Sequence, residues 1–418
     1  MKLRVRFLKL IPVTLLLILI PLLTGCDFDI VNPGPTDDVA LDEEGAHESV
    51  VNGMRYSFAR ALGDLAYIGS EPAHEITTAG RVFPVKLPSR PGQLLDNEIN
   101  RQWAFAHQAR WSAEEGVRRF ERVMEADFDS SDLVATALMY AGFSNRLLGE
   151  NMCYAVIDDG EAEPYSVHLQ RAEDNFTQAI SVAQAAGASE VAEASRAGRA
   201  QVRLLRGDHA GAAQDAGAIS DDFLYEARYF TATSDQYNIL YWTNDNNPYR
   251  AHSAWDTYYE EYYEDTGDPR VRWGFDPDEP VGEFEDIPWY FQLKYPQRSA
   301  NIPIAKGAEM RLIEAENELE EGNWDVAMQI INDVRSEVVS DHDGDPIPEW
   351  EASNEEEAWT HLKRERSIVL WLEARRLGDL RRWIEAGTPG DMEDMDGRST
   401  CFPISENERQ SNPNIPLN

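Results

Sequence analysis

Flat rings are concentrated in one stretch of this chain. Of its 42 Phe, Trp and Tyr residues, 20 lie between positions 222 and 300, so a site built on rings belongs there. Sugars present apolar C–H faces that stack on exposed rings, while carboxylates and amides at the rim take the hydroxyls. Trp242, Tyr249, Trp255, Tyr259, Trp273 and Trp289 are the candidate ligand rings, with Asn244, Asp245, Asn246 and Asn247 as a polar rim beside Trp242. The competing reading is a core. Tyr258, Tyr259, Tyr262 and Tyr263 follow i, i+1 and i, i+4 spacing, so about half of them must face inward. Taken singly, each ring reads as core more readily than as ligand face; the region as a whole is the candidate.

Other chemistry is weakly signalled. The eight histidines are scattered, with no His-x-x-x-His, Gly-x-Ser-x-Gly or P-loop spacing. Among 75 acidic residues no catalytic carboxylate pair can be singled out. Asp341-His342-Asp343-Gly344-Asp345 places oxygen ligands at alternate positions, as a calcium loop does, but Ala352 stands where the closing glutamate belongs. A solvated acidic loop explains it as well. No catalytic residue, metal or cofactor is assigned.

Charge narrows the field further. Thirty-eight basic residues against 75 acidic ones give a net charge of −37, which repels phosphate backbones and anionic headgroups, so nucleic acid is excluded as a partner. A surface that must stay hydrated at high salt has the same composition. Residues 1–25 break the pattern: Lys2, Arg4, Arg6 and Lys9 precede an apolar run, Leu10–Leu23, too short to span a bilayer. Leu23-Thr24-Gly25-Cys26 then resembles the lipobox of bacterial lipoproteins. That resemblance implies cleavage before Cys26, acylation of Cys26, and an acidic, proline-containing tether over residues 26–41.

The elements that must carry these residues are mainly helical. Helix-forming patterns run over 42–62, 92–125, 132–150, 165–187, 189–206 and 209–218, with a long Pro- and Gly-bearing loop at 63–91. Residues 222–300 lose helical periodicity, save for 253–264, and read as irregular. Helices return at 306–321 and 323–339, the second with Trp324, Ala327, Met328, Ile331 and Val334 in one apolar stripe. A single long helix is expected at about 354–378. The segments 204–213 and 319–328 are alike, each a leucine, a Gly-Asp or Gly-Asn turn and small residues beyond. They resemble tetratricopeptide helix pairs, separated by more than 100 residues. Such a pair needs a small residue where its helices cross, and Ala327 is the candidate.

Several segments together resemble the SusD/RagB family of outer-membrane lipoproteins. They are Gly307–Glu316, Gly322-Asn323-Trp324, Ile331–Arg335, Arg364-Glu365-Arg366, Trp371–Trp383, Phe402–Arg409 and Asn412-Pro413-Asn414, with Leu148–Cys153 and the lipobox upstream. The resemblance is strongest over 300–418 and weakest over 222–300. It implies a SusD-like helical fold with scattered tetratricopeptide-type pairs: an N-terminal helical region at 42–221, an aromatic-rich ligand face at 222–300 and a C-terminal helical region at 301–418. It implies a non-enzymatic, surface-exposed lipoprotein of the outer membrane. Such a protein captures an oligosaccharide or peptide for a SusC-like TonB-dependent transporter. It also directs attention to the loop after the first helix, with Tyr67 and Phe83. A periplasmic tetratricopeptide scaffold is the alternative, and a secreted glycosidase a more distant one.

Two expectations about the C-terminal region follow. Arg364, Arg366, Arg375, Arg376, Arg381 and Arg382 alternate with Glu365, Glu373 and Asp379, the one basic cluster in the chain. They read as a structural ion network in preference to an anion site. With Cys26 committed to lipid, Cys153 and Cys401 are left as an even pair in an oxidising compartment. A bridge between them would pin the closing segment, which in the family packs back on the helices; two buried free thiols are the alternative.

Overall fold

The computed structural model describes residues 38–80, 92–244, 249–284 and 286–416. Cys26 and its lipobox, Phe83, and the rim residues Asp245, Asn246 and Asn247 lie outside them. Residues 38–42 form a short 3-10 turn within a unit distinct from 45–416.

Thirteen α-helices dominate the described residues. The first six are α1 (His47–Gly69), α2 (Asn100–Met124), α3 (Asp132–Asn151), α4 (Ser166–Ala186), α5 (Ser189–Leu205) and α6 (His209–Ala216). Then come α7 (Ile239–Asn244), α8 (Tyr258–Thr266), α9 (Gly307–Glu320), α10 (Trp324–Ser336), α11 (Glu355–Val369), α12 (Arg376–Ala386) and α13 (Glu406–Ser411). Boundaries follow local chemistry. Ser131, Asp208, Asn354 and Ser405 each accept a backbone N–H of the first turn, satisfying a donor that the helix start leaves free. Gly187 ends α4 at φ 72°, a conformation that costs a side-chain-bearing residue about 1–2 kcal/mol.

Helices α2 to α6 pack in succession, each on the next, and α6 then packs on α9, which contacts α10 and α11. The two look-alike helix pairs, distant in sequence, are therefore neighbours in space. Where α3, α4 and α5 meet, a Cβ on Gly198 would lie 2.4 Å from the Phe176 ring and one on Gly142 2.6 Å from it. Glycine lets that ring fill the crossing. Strands are short two-stranded ribbons: β1 (Thr77–Thr78) with β5 (His252–Ser253), β2 (Tyr154–Ala155) with β3 (Glu163–Pro164), β4 (Leu224–Ala227) with β8 (Ile302–Lys306), and β6 (Trp273–Phe275) with β7 (Tyr290–Gln292). All four are antiparallel.

Ala327 is fully buried in a core shared by α9, α10 and α11, beside Leu312, Ala315 and Ile331. Ala327→Leu should overpack that contact and cost roughly 1–3 kcal/mol in urea unfolding. A neutral result would mean the crossing has room to spare.

The single helix expected at 354–378 is two helices. Between α11 and α12 the chain reverses through Leu370–Arg375, and Leu372 and Ala374 sit at φ 58° and 59°. The segment Trp-Leu-Glu-Ala is helix-forming in propensity, so tertiary contacts must overrule it. They are visible. The Leu372 N–H donates to Glu75 Oε1 at 2.8 Å, and Lys294 and Lys306 both donate to Glu373 Oε1. Tyr295 OH donates to the Leu372 carbonyl and Asn151 Nδ2 to that of Ala374. Burial pushes the Glu75 carboxyl up to about 8.

The basic cluster lies inside, apart from exposed Arg364. Arg366 holds Asp379 through two 3.0 Å bonds, Arg375 bridges Glu150 and Glu309, and Arg382 spans Glu316 and Asp379. Arg376 pairs with Glu393, and Arg381 donates to the carbonyls of Gly149 and Met152 at the end of α3. A disulfide joins Cys153, two residues past α3, to Cys401.

Candidate functional site

Helix α7 is short, and its start is set by Asn238. The Asn238 carboxamide oxygen accepts the Leu240 N–H at 2.9 Å, while its Nδ2 donates to the Ala300 carbonyl and its backbone N–H to that of Arg298. This ties α7 to the segment before β8 and places Trp242 beside Arg298. The guanidinium lies over the Trp242 ring at 4.6 Å and over Tyr237 at 5.1 Å. Tyr237 and Trp242 are 5.2 Å apart between centroids, and Trp242 and Tyr249 5.7 Å. All three rings keep part of their surface open, Tyr249 with 37% of its area. The result is a tilted row of rings stiffened from one side by an arginine.

Gln236, immediately before this row, lines a cleft of about 620 Å³. One wall is α1, with Asn52, Arg55, Tyr56 and Arg60; another is β4 and the segment through Phe230 to Gln236. Its inner groups include a hydroxyl pair, Tyr140 OH to Tyr225 OH at 3.1 Å. Burial pushes both phenols up, so they remain neutral donors and acceptors. More than half of Phe230 is exposed at the mouth.

A second ring group sits on the β6–β7 ribbon. Trp273 stacks on Tyr290 at 4.5 Å, Phe275 meets Tyr290 edge-on and Tyr263 meets Trp273 edge-on. The Trp273 indole N–H is held by the Glu260 carbonyl.

The sequence-based candidates thus divide. Trp242 and Tyr249 come together with Tyr237 and Arg298, and Trp273 lies on the ribbon. Asn244 closes α7. Trp255 is half-buried in the connection between β5 and α8. Two candidates are corrected. Tyr259 is fully buried and stacked on Trp371 at 5.5 Å, and Trp289 is buried against Phe291 at 4.8 Å, so neither ring face can meet a ligand. Tyr67 is likewise buried, its ring edge-on to His252. In the acidic loop, Asp341 is taken by Arg272 and the Tyr263 hydroxyl. Among the described residues no group of three His, Cys, Asp or Glu side chains is placed to hold a metal.

Sequence reasoning missed the cleft. Its polar groups come from α1, α3, α5 and β4, far apart in the chain, and no motif links them. Tyr237 and Arg298 were within reach, since both lie in the ring-rich stretch, but only the fold brings them to one place.

The SusD family model matches residues 292–416. No curated protein matches the chain. Solved structures match over nearly its whole length. A SusD/RagB family protein of Bacteroides thetaiotaomicron is 11% identical over 88% of this chain and 94% of its own, with a TM-score of 0.66. A protein of Bacteroides vulgatus described as a putative sugar binding protein is 16% identical, over 90% and 98%, at 0.65. A laminarin binding SusD-like protein is 13% identical, over 90% and 99%, at 0.63. At these identities the likeness is one of fold.

Proposed function

We propose, from the match of residues 292–416 to the SusD family model and the fold shared with SusD/RagB structures, that the chain is a member of that family and captures an oligosaccharide on the Tyr237–Trp242–Tyr249 row and in the neighbouring cleft. The row carries the reading: flat rings partly open to solvent and clustered, beside a hydroxyl-lined hollow of oligosaccharide size. A row of this kind fits a sugar chain, because it offers clustered ring faces for the apolar C–H faces of sugars. The protein binds and does not catalyse. Acylated at Cys26, it sits on the outer face of the outer membrane and passes its ligand to a SusC-like TonB-dependent transporter. No helix among the described residues is long and apolar enough to cross a membrane.

Trp242→Ala should lower affinity for the bound glycan at least tenfold, measured by titration calorimetry against the best ligand from a glycan array. Its stability should fall by less than the 3–5 kcal/mol of a buried tryptophan, because the ring is only partly covered. Unchanged affinity would move the site to the β6–β7 rings. Protease treatment of whole cells tests the placement: a periplasmic scaffold would be spared.

A further inference from the structure

Arginines in this chain are mostly spent on carboxylates, as 75 acidic residues against 38 basic ones make easy. Three that are not gather in one place. Arg55, Arg60 and Arg228 all line the 620 Å³ cleft, and none makes an ion pair among the described residues. Arg55 donates to Asn52 and also meets the Tyr140 hydroxyl, Arg60 lies flat on the Phe105 ring at 3.7 Å, and Arg228 has no partner among the described residues. Among the described residues, the Arg298 guanidinium on the adjoining ring row likewise meets ring faces and no carboxylate. Carboxylates are present in the cleft too, at Glu190, Glu226 and Asp235. Glu226 accepts from Asn301 Nδ2 at 3.1 Å, and none of the three closes on an arginine among the described residues.

A cleft that keeps guanidiniums apart from carboxylates, with tyrosine hydroxyls between, suits a ligand carrying both an anion and hydroxyls. A guanidinium fork pairs a carboxylate bidentately, whereas carboxylates and phenols take sugar hydroxyls. A wholly neutral glycan would leave three cations unanswered. A polyanion without hydroxyls would meet three carboxylates. Building on the proposed saccharide capture, we infer that the cleft takes an acidic saccharide, a uronic-acid residue whose carboxylate meets Arg55 and Arg228, while the ring row stacks the neighbouring sugar. The net charge of −37 opposes any anion at long range, so the preference must come from these local contacts.

The test is titration calorimetry of the mature chain with hexamers of galacturonate, glucuronate, mannuronate and guluronate. Their carboxyl-reduced, neutral counterparts and sulfated neutral oligomers serve as controls. At least one uronate oligomer should bind tenfold or more tighter than its reduced counterpart. The double variant Arg55→Gln/Arg228→Gln should erase that preference without changing the circular dichroism spectrum, and Trp242→Ala should weaken the acidic and reduced oligomers alike. Equal or tighter binding of the reduced forms, preference for sulfated over uronate oligomers, or a preference that survives in the double variant overturns the inference while leaving saccharide capture standing. Absence of binding by every oligomer removes both.

Discussion

Asp379→Ala should destabilise the protein by about 3–5 kcal/mol, because it strands buried guanidiniums that the fold has already desolvated. Asp379 is buried, accepts both arms of Arg366 at 3.0 Å and pairs with Arg382 at 2.8 Å. Glu316, the neighbouring carboxylate, already serves Arg382 and the Trp383 indole, and stands 4.0 Å from Arg366. One carboxylate would then face two arginines. Arg366→Met with Asp379→Leu should recover much of the loss, since an apolar pair of similar volume needs no desolvation repaid. Urea unfolding followed by tryptophan fluorescence reads both variants. If the single variant loses less than about 1 kcal/mol, water reaches the network and the burial argument fails.

The pH profile gives an independent reading. Burial alone would raise the Asp379 carboxyl, but Arg366 and Arg382 outweigh it and hold it well below the usual carboxylate range. A group depressed in the folded state contributes stability above its unfolded pKa of about 3.9, and loses it as pH falls through the folded value. The gap between wild type and Asp379→Ala should therefore be flat near neutrality and close below about pH 4. Glu75 acts in the opposite sense. Its folded value of about 8 makes wild-type stability decline as pH rises from about 5 to 8, in both proteins alike, so that slope cancels in the difference.

The contrast between these two acids shows what was legible in the sequence. Asp379 lies in a run of alternating arginines and acids, and that pattern within an acidic chain announces an ion network. Glu75 lies in a loop with no such neighbour, and only the fold sets it under the Leu372 backbone. Helices α4 and α5 fall within a residue or so of their expected bounds because Gly187 and the small-residue stripes mark them. The reversal at 370–375 is invisible, since every residue there favours helix and the opposing contacts come from positions 75, 151, 294, 295 and 306. The ring-rich stretch was legible as a region. Which rings face out was not: Trp242 and Tyr259 have similar local contexts, and only packing against Trp371 decides that Tyr259 is core.

Replacing both cysteines, Cys153→Ser with Cys401→Ser, should cost about 2–5 kcal/mol, and the wild type in reductant should lose the same amount. The bridge spans 248 residues of sequence. In the chain-entropy model a loop of that length is worth roughly 5 kcal/mol, with measured gains usually smaller. The folded state gives the variant means to keep its tail in place. Phe402 N–H donates to the Asn151 carbonyl and Cys153 N–H to that of Phe402, at 2.8 and 2.9 Å. Phe402 and Ile404 are buried, and Asn412 and Asn414 donate to the carbonyls of Gly160 and Asp159 in the turn between β2 and β3. With those contacts intact, the loss should come from a freer unfolded chain. Hydrogen exchange near residues 151–160 and 402–415 should then be almost unchanged under native conditions, while the urea midpoint drops. Enhanced exchange confined to those segments would instead mean that the disulfide, and not the packing of Phe402 and its neighbours, holds the C-terminus to the helices.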